Sequence, residues 1–176
     1  MTESINVPQG ITCHVEGSRL TCSKGSVSVS RLFSIRGTAM TVREGTIEFA
    51  CPQANKKNRA VIKSSLAHVA NMFAGLETPY VYELEICNVH FPMTVKVEGA
   101  LFVVTNFLGE KQKRVASILP TVIVDVKGTK VTVSSPNLEL AGQTAANIEK
   151  ATHVSKRDRR VFQDGIFITS KCGVPI

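Results

Sequence analysis

Apolar and polar residues alternate with period two along most of the chain, and glycines interrupt the runs at regular places. That is the pattern of β-hairpins with one face on a core. In ITCHVEGSRLTCSK (11–24), Cys13, Val15, Leu20 and Cys22 fall in phase. MTVKVEGALFVVTN (93–106) repeats the pattern 82 residues on, with Val95, Val97, Phe102 and Val104 in phase. A second hairpin, TAMTVREGTIEFACP (38–52), is matched by IVDVKGTKVTVSSP (123–136) at an offset of 84, and Pro8 matches Pro92 at the same offset. After each second hairpin the period changes. Ile62, Leu66, Val69 and Phe73 are spaced i, i+4, i+7, i+11, and Ala141, Ala145, Ile148 and Thr152 repeat that spacing, so one helix is expected in each half.

These recurrences predict an α+β chain of two similar small domains, 1–88 and 89–176, from internal duplication. Each would be an antiparallel sheet covered by a helix, because an amphipathic helix and a one-faced sheet bury each other. The strand YVYELEI (80–86) is expected to close the first domain and GIFITSK (165–171) the second. Gly75 is the expected C-cap of the first helix, and Ser135-Pro136 the expected start of the second.

At 176 residues, 43 % hydrophobic and 20 % charged, the chain has material for a real core and reads as globular. It has no apolar run near the roughly 20 residues of a membrane span. The polar start MTESINVPQG is expected to be neither a secretory signal nor a transit peptide. Five dispersed cysteines, an odd number, do not form a disulfide framework, so a reducing compartment is expected.

Charge narrows the partner. Lys and Arg number 21 against 14 Asp and Glu, a net of +7, which favours an anionic partner such as nucleic acid or a membrane surface without choosing between them. Residues 1–89 carry +2 and residues 90–176 carry +5. The basic clusters are Lys56, Lys57, Arg59 and Lys63; Lys111, Lys113 and Arg114; and Lys156, Arg157, Arg159 and Arg160. Arg forks and short basic loops suit the phosphate backbone of folded RNA. On the second helix Gln143, Asn147 and Lys150 form one stripe beside the small residues Gly142, Thr144, Ala145 and Ala146, where amides can bond phosphate or 2′-OH groups. The same stripe also fits a plain solvent face. With no Trp, two Tyr and eight Phe, stacking of many bases is not expected.

Catalytic and metal patterns are weak. Cys87-Asn-Val-His90 is half of a zinc spacing, but Cys13 and His14, its only imagined completion, point to opposite faces of a strand. Asp158 and Asp164 lie in a loop with no burial signal, and no phosphate loop or nucleophile elbow is present. No enzyme, cofactor or metal is expected.

HFPMTVKVEG (90–99), NFLGEK (106–111), GQTAANIEKAT (142–152) and KRDRRVFQDGIF (156–167), in this order, resemble a family of large-subunit ribosomal proteins, called protein six in bacterial and protein nine in eukaryotic naming. The match looks like the archaeal/eukaryotic branch. VPQGITCHVEGSRLTCSKG (7–25) resembles the family's opening hairpin, with its usual turn reduced to Ser23-Lys24-Gly25, and Asn58-Arg59 is preceded by Ala54-Asn55-Lys56-Lys57 in place of the usual Trp-Gly. The resemblance implies two α+β domains and binding to large-subunit rRNA near the stalk base and the sarcin-ricin loop, beside neighbouring ribosomal proteins in the cytoplasm. It also implies that the second domain makes the main contacts. On this chain the candidates are Lys111, Lys113, Arg114, Gln143, Asn147, Lys150, Lys156, Arg157, Arg159 and Arg160. No membrane and no small-molecule substrate is implied. The rival expectations are an RNA-binding module outside the ribosome and a β-rich protein-interaction domain.

Overall fold

In a computed structural model, residues 2–33, 37–43, 45–52 and 55–176 are described. Ala54, named above, lies outside them. The chain divides into two units, Met1–Thr78 and Pro79–Ile176.

In the first unit the two anticipated hairpins become β2 (Thr12–Glu16) with β3 (Arg19–Lys24), and β5 (Ala39–Arg43) with β6 (Thr46–Ala50). Each gains one strand that the pattern did not signal. β4 (Val27–Leu32) extends the first to β2-β3-β4, and β1 (Thr2–Asn6) extends the second to β1-β6-β5. Gly17 leads the turn between β2 and β3 at φ +61°, a conformation open to glycine without steric cost. Helix α1 (Lys56–Glu77) buries Ile62, Val69 and Phe73, as their spacing requires. Its N-cap is Asn55, whose side chain accepts from the Asn58 N–H at 2.8 Å. Gly75 is buried inside the helix rather than capping it, and Thr78 is the C-cap. Leu20, Ile47 and Phe49 are wholly buried in this unit's core.

The second unit repeats the plan with one more layer of pairing. β8 (Thr94–Glu98), β9 (Leu101–Thr105) and β10 (Arg114–Ser117) form one sheet. The other has the order β11 (Ile123–Lys127), β12 (Lys130–Ser135), β7 (Tyr80–Cys87), β13 (Gly165–Lys171), β14 (Val174–Pro175). The boundary expected at 88/89 therefore falls at 78/79. Tyr80–Cys87 does not close the first unit. It is the central strand of the second, antiparallel to β12 on one side and to β13 on the other. Tyr82, Leu84 and Ile86 point inward and Glu83 and Glu85 outward, and the two flanking strands satisfy its backbone on both edges.

Helix α2 (Leu138–Ala151) lies against β7, β12, β13 and β10, burying Ala141, Thr144, Ala145 and Ile148. Its N-cap is Asn137, not Ser135; the Asn137 carboxamide accepts from the Glu139 N–H at 3.0 Å. Ser135 helps from outside, its hydroxyl accepting from the Asn137 N–H at 3.2 Å. Gly142 marks a close approach, since a Cβ there would meet the Tyr82 hydroxyl at 3.0 Å. The small-residue face of α2 is thus closed by the unit's own sheet.

Candidate nucleic-acid interface

Some of the candidate residues, Lys150, Arg159 and Arg160 with Arg114 behind them, gather at the C-terminal end of α2. Asn106 and Leu108 take left-handed conformations (φ 60° and 49°) in a short 3-10 turn, Phe107–Gly109, that drives Phe107 fully into the core. The chain then climbs into β10, which places Arg114 over the Phe107 ring, 4.2 Å from its centroid. The guanidinium is largely consumed there. Nε and Nη2 donate to the two Glu110 carboxylate oxygens at 2.8 and 2.7 Å, and Nη1 donates to the carbonyls of Ala151 and His153 at 3.0 and 3.1 Å. Ala151 is the last residue of α2 and His153 follows its C-cap Thr152, so the cation sits where it complements both the unpaired acceptors and the dipole. The Arg114 hydrogen bonds hold the Glu110 carboxyl below its ordinary value, with Arg157 adding a smaller pull. Arg114, expected as a phosphate contact, is therefore an internal clamp between β10 and α2.

The loop after α2 is held from a second side. Asp164, only 1 % exposed, accepts from the backbone N–H groups of Val89 and His90 at 2.8 and 2.9 Å and faces His90 Nδ1 at 2.6 Å. Burial pushes its carboxyl up, but the hydrogen bonds from the His90 backbone and ring and from Val89 outweigh that, and the net shift is downward. An ionised carboxylate only accepts, so the ring donates from Nδ1. The Phe162 ring stacks on His90 with centroids 4.9 Å apart, and the Arg157 guanidinium lies 4.8 Å from the Phe162 centroid. The absence of a burial signal at Asp164 is thus corrected: its partners lie 74 and 75 residues away in sequence.

Between these two clamps the remaining cations are presented outward. Lys156 takes a left-handed conformation, φ 59°. Asp158 accepts from the Arg160 backbone N–H at 2.9 Å and pairs with its side chain at 3.3 Å, fixing a tight turn. Arg159 and Arg160 join Lys150 and His153 around a cleft of about 740 Å³ whose floor includes Phe162 and Phe167. Gln143 donates to Asn147 at 2.9 Å, and Asn147 donates to the carbonyl and hydroxyl of Ser117, each at 3.3 Å. The amide stripe is therefore partly engaged with β10, leaving Gln143 and Lys150 exposed. Lys111 is exposed before β10, and Lys113 shares a shallow depression with Lys96 on the β8–β9 sheet, apart from the cleft. Phe162 and Asp164 were not legible as site residues, because their neighbours come from distant segments. Among the described residues no group of three or more metal-ligating side chains occurs, and no helix is long and apolar enough to cross a membrane.

Comparison with known proteins decides the family. Residues 91–165 match the family Ribosomal protein L6. The large ribosomal subunit protein uL6 of Aeropyrum pernix is 41 % identical over 169 residues, covering 96 % of this chain and 93 % of that protein. The chain belongs to the ribosomal protein L6 family. The uL6 of Methanocella arvoryzae is 42 % identical over 168 residues (95 % of each chain), and that of Methanobrevibacter smithii 38 % over 169 residues (96 % and 95 %). These relatives place the chain in the archaeal/eukaryotic branch, as the motif resemblance implied. The L6 family is structural and not enzymatic, and the match spans both units.

Proposed function

We propose that this chain is a structural constituent of the large ribosomal subunit in the cytoplasm, without catalysis of its own. It would brace rRNA through the second unit, near the stalk base and the sarcin-ricin loop and beside neighbouring large-subunit proteins. One observation carries the reading in a chain of the L6 family. Lys150, Arg159 and Arg160 rim one cleft, and Arg114 and Asp164 pin the segment that presents them. Pre-organised cations lose little conformational entropy on meeting a phosphate backbone, and phosphate contacts set position and orientation without reading sequence. Lys111, Lys156 and Gln143 extend the surface. Arg157, packed on Phe162, and Asn147, bonded to Ser117, support it.

Sedimentation in low salt tests the assignment: the protein should travel with large subunits, and its remaining at the top of the gradient would refute it. Replacing Lys156, Arg157, Arg159 and Arg160 by Ala should weaken binding to a large-subunit rRNA fragment. It should also flatten the salt dependence by roughly 0.7–0.9 in log–log slope per lost phosphate contact. An unchanged slope removes the loop from the interface.

A further inference from the structure

We infer that Cys13 and Cys22 form a two-thiol oxidation site, able to close an intramolecular disulfide across the β2–β3 hairpin when the protein meets a small-molecule disulfide.

The hairpin turn fixes the geometry. Gly17 and Ser18 form a two-residue loop, so Glu16 and Arg19 are a hydrogen-bonded pair, and pair types alternate back along the strands. Val15 with Leu20 is then non-hydrogen-bonded, His14 with Thr21 hydrogen-bonded, and Cys13 with Cys22 non-hydrogen-bonded. Non-hydrogen-bonded partners have Cα atoms about 4.5 Å apart and side chains on one face, inside the span a disulfide accepts. The side chains already touch: the Cys13 thiol donates to Cys22 Sγ at 3.1 Å. Both cysteines are free thiols, Cys13 half-buried and Cys22 wholly buried. The corresponding pair of the second unit's hairpin, at the 82-residue offset, is Val95 with Val104. An apolar pair satisfies the fold at this place, so the facing thiols are a chemistry of the first unit only.

The accessible thiol reacts first. The Cys13 thiolate attacks one sulfur of the small-molecule disulfide, forming a mixed disulfide and expelling one thiolate. Cys22 then loses its proton to solvent, and its sulfur attacks Cys13 Sγ, expelling the second thiolate. Two protein thiols become one disulfide, and one small disulfide becomes two small thiols. Burial raises both cysteine pKa values, and the neighbouring thiol raises that of Cys22 further. Closure is therefore slow at neutral pH and accelerates as pH rises, because the thiolate is the nucleophile.

A peptide map reads the outcome directly, because trypsin cuts after Arg19 and separates Cys13 (peptide 1–19) from Cys22 (peptide 20–24). The reduced full chain is incubated with oxidised glutathione, its remaining thiols are alkylated, and it is digested without reduction. The expected product is peptides 1–19 and 20–24 joined by one disulfide, forming faster at higher pH. In Cys13→Ser, peptide 20–24 should appear alone and alkylated. Three results overturn the inference while the exposed Cys172 is being modified: both peptides unlinked, glutathione arrested on Cys13, or linkage only after the chain is unfolded.

Discussion

Arg114→Ala should lower the stability of the second unit by about 2–3 kcal/mol and leave the salt dependence of RNA binding unchanged. The magnitude follows from what the guanidinium touches. The i,i+4 pair with Glu110 is partly exposed and contributes about 0.5 kcal/mol. The two carbonyl contacts at the end of α2 contribute about 1–1.5 kcal/mol together. The Phe107 contact adds about 0.5–1 kcal/mol. Tyrosine fluorescence during urea denaturation isolates this unit, because the chain's two tyrosines, Tyr80 and Tyr82, both lie on β7. A loss of that size moves the midpoint down by about 0.7–3 M for a slope of roughly 1–3 kcal/mol/M. Arg159→Ala is the converse control: the residue is exposed, so stability should hold within about 0.5 kcal/mol while the salt slope falls by roughly 0.7–0.9. An Arg114→Ala protein that kept its midpoint and lost slope would show that Arg114 holds phosphate, and the clamp would be refuted.

Asp164→Asn should cost about 1.5–3 kcal/mol at neutral pH, since three hydrogen bonds lose their charged acceptor. The Asp164 carboxyl sits below its ordinary 3.8, so its contribution is present above that value and disappears as pH falls through the lower folded value; the variant should show a flatter acid limb, and an identical limb in both proteins would sink the assignment. Asn137→Ala should cost about 1 kcal/mol in the same denaturation assay, through loss of the α2 N-cap, where Ser135→Ala should cost less. Gly165→Ala should cost about 1–2 kcal/mol, because its Cβ would come within 2.9 Å of the Phe167 ring; an unchanged midpoint would mean the ring turns away freely.

The hairpins were legible because each side chain's period and each turn glycine are local facts. What was not legible depended on partners. β1 is a polar TESIN segment whose pairing with β6 does not show in its own residues, and β10 is only four residues long. β7 reads as a strand from its alternation, yet that alternation is the same whichever sheet receives it, so its unit could not be told. Arg114 is visible in sequence as a cation but not as a cation with four acceptors. Asp164 looks like a loop carboxylate until the segment around His90 is folded onto it.

The shift of β7 also changes the charge argument. With Glu83 and Glu85 counted in the second unit, residues 1–78 hold nine Lys and Arg against five Asp and Glu, a net of +4, and residues 79–176 hold twelve against nine, a net of +3. Net charge therefore does not rank the units as RNA binders. The proposal for the second unit rests instead on placement: Glu83 and Glu85 face outward on β7, opposite the inward Tyr82, Leu84 and Ile86 that pack with α2, whereas Lys150, Arg159 and Arg160 line the cleft at the end of α2. Within the basic side the charges divide again. Arg114 and Arg157 are packed on phenylalanine rings and fix the segment, and the exposed cations beside them are the ones proposed to meet the polyanion. In the interface proposed above, the clamps Arg114 with Glu110 and Asp164 with His90 would set the position of the segment, and the exposed cations they hold in place would supply the affinity.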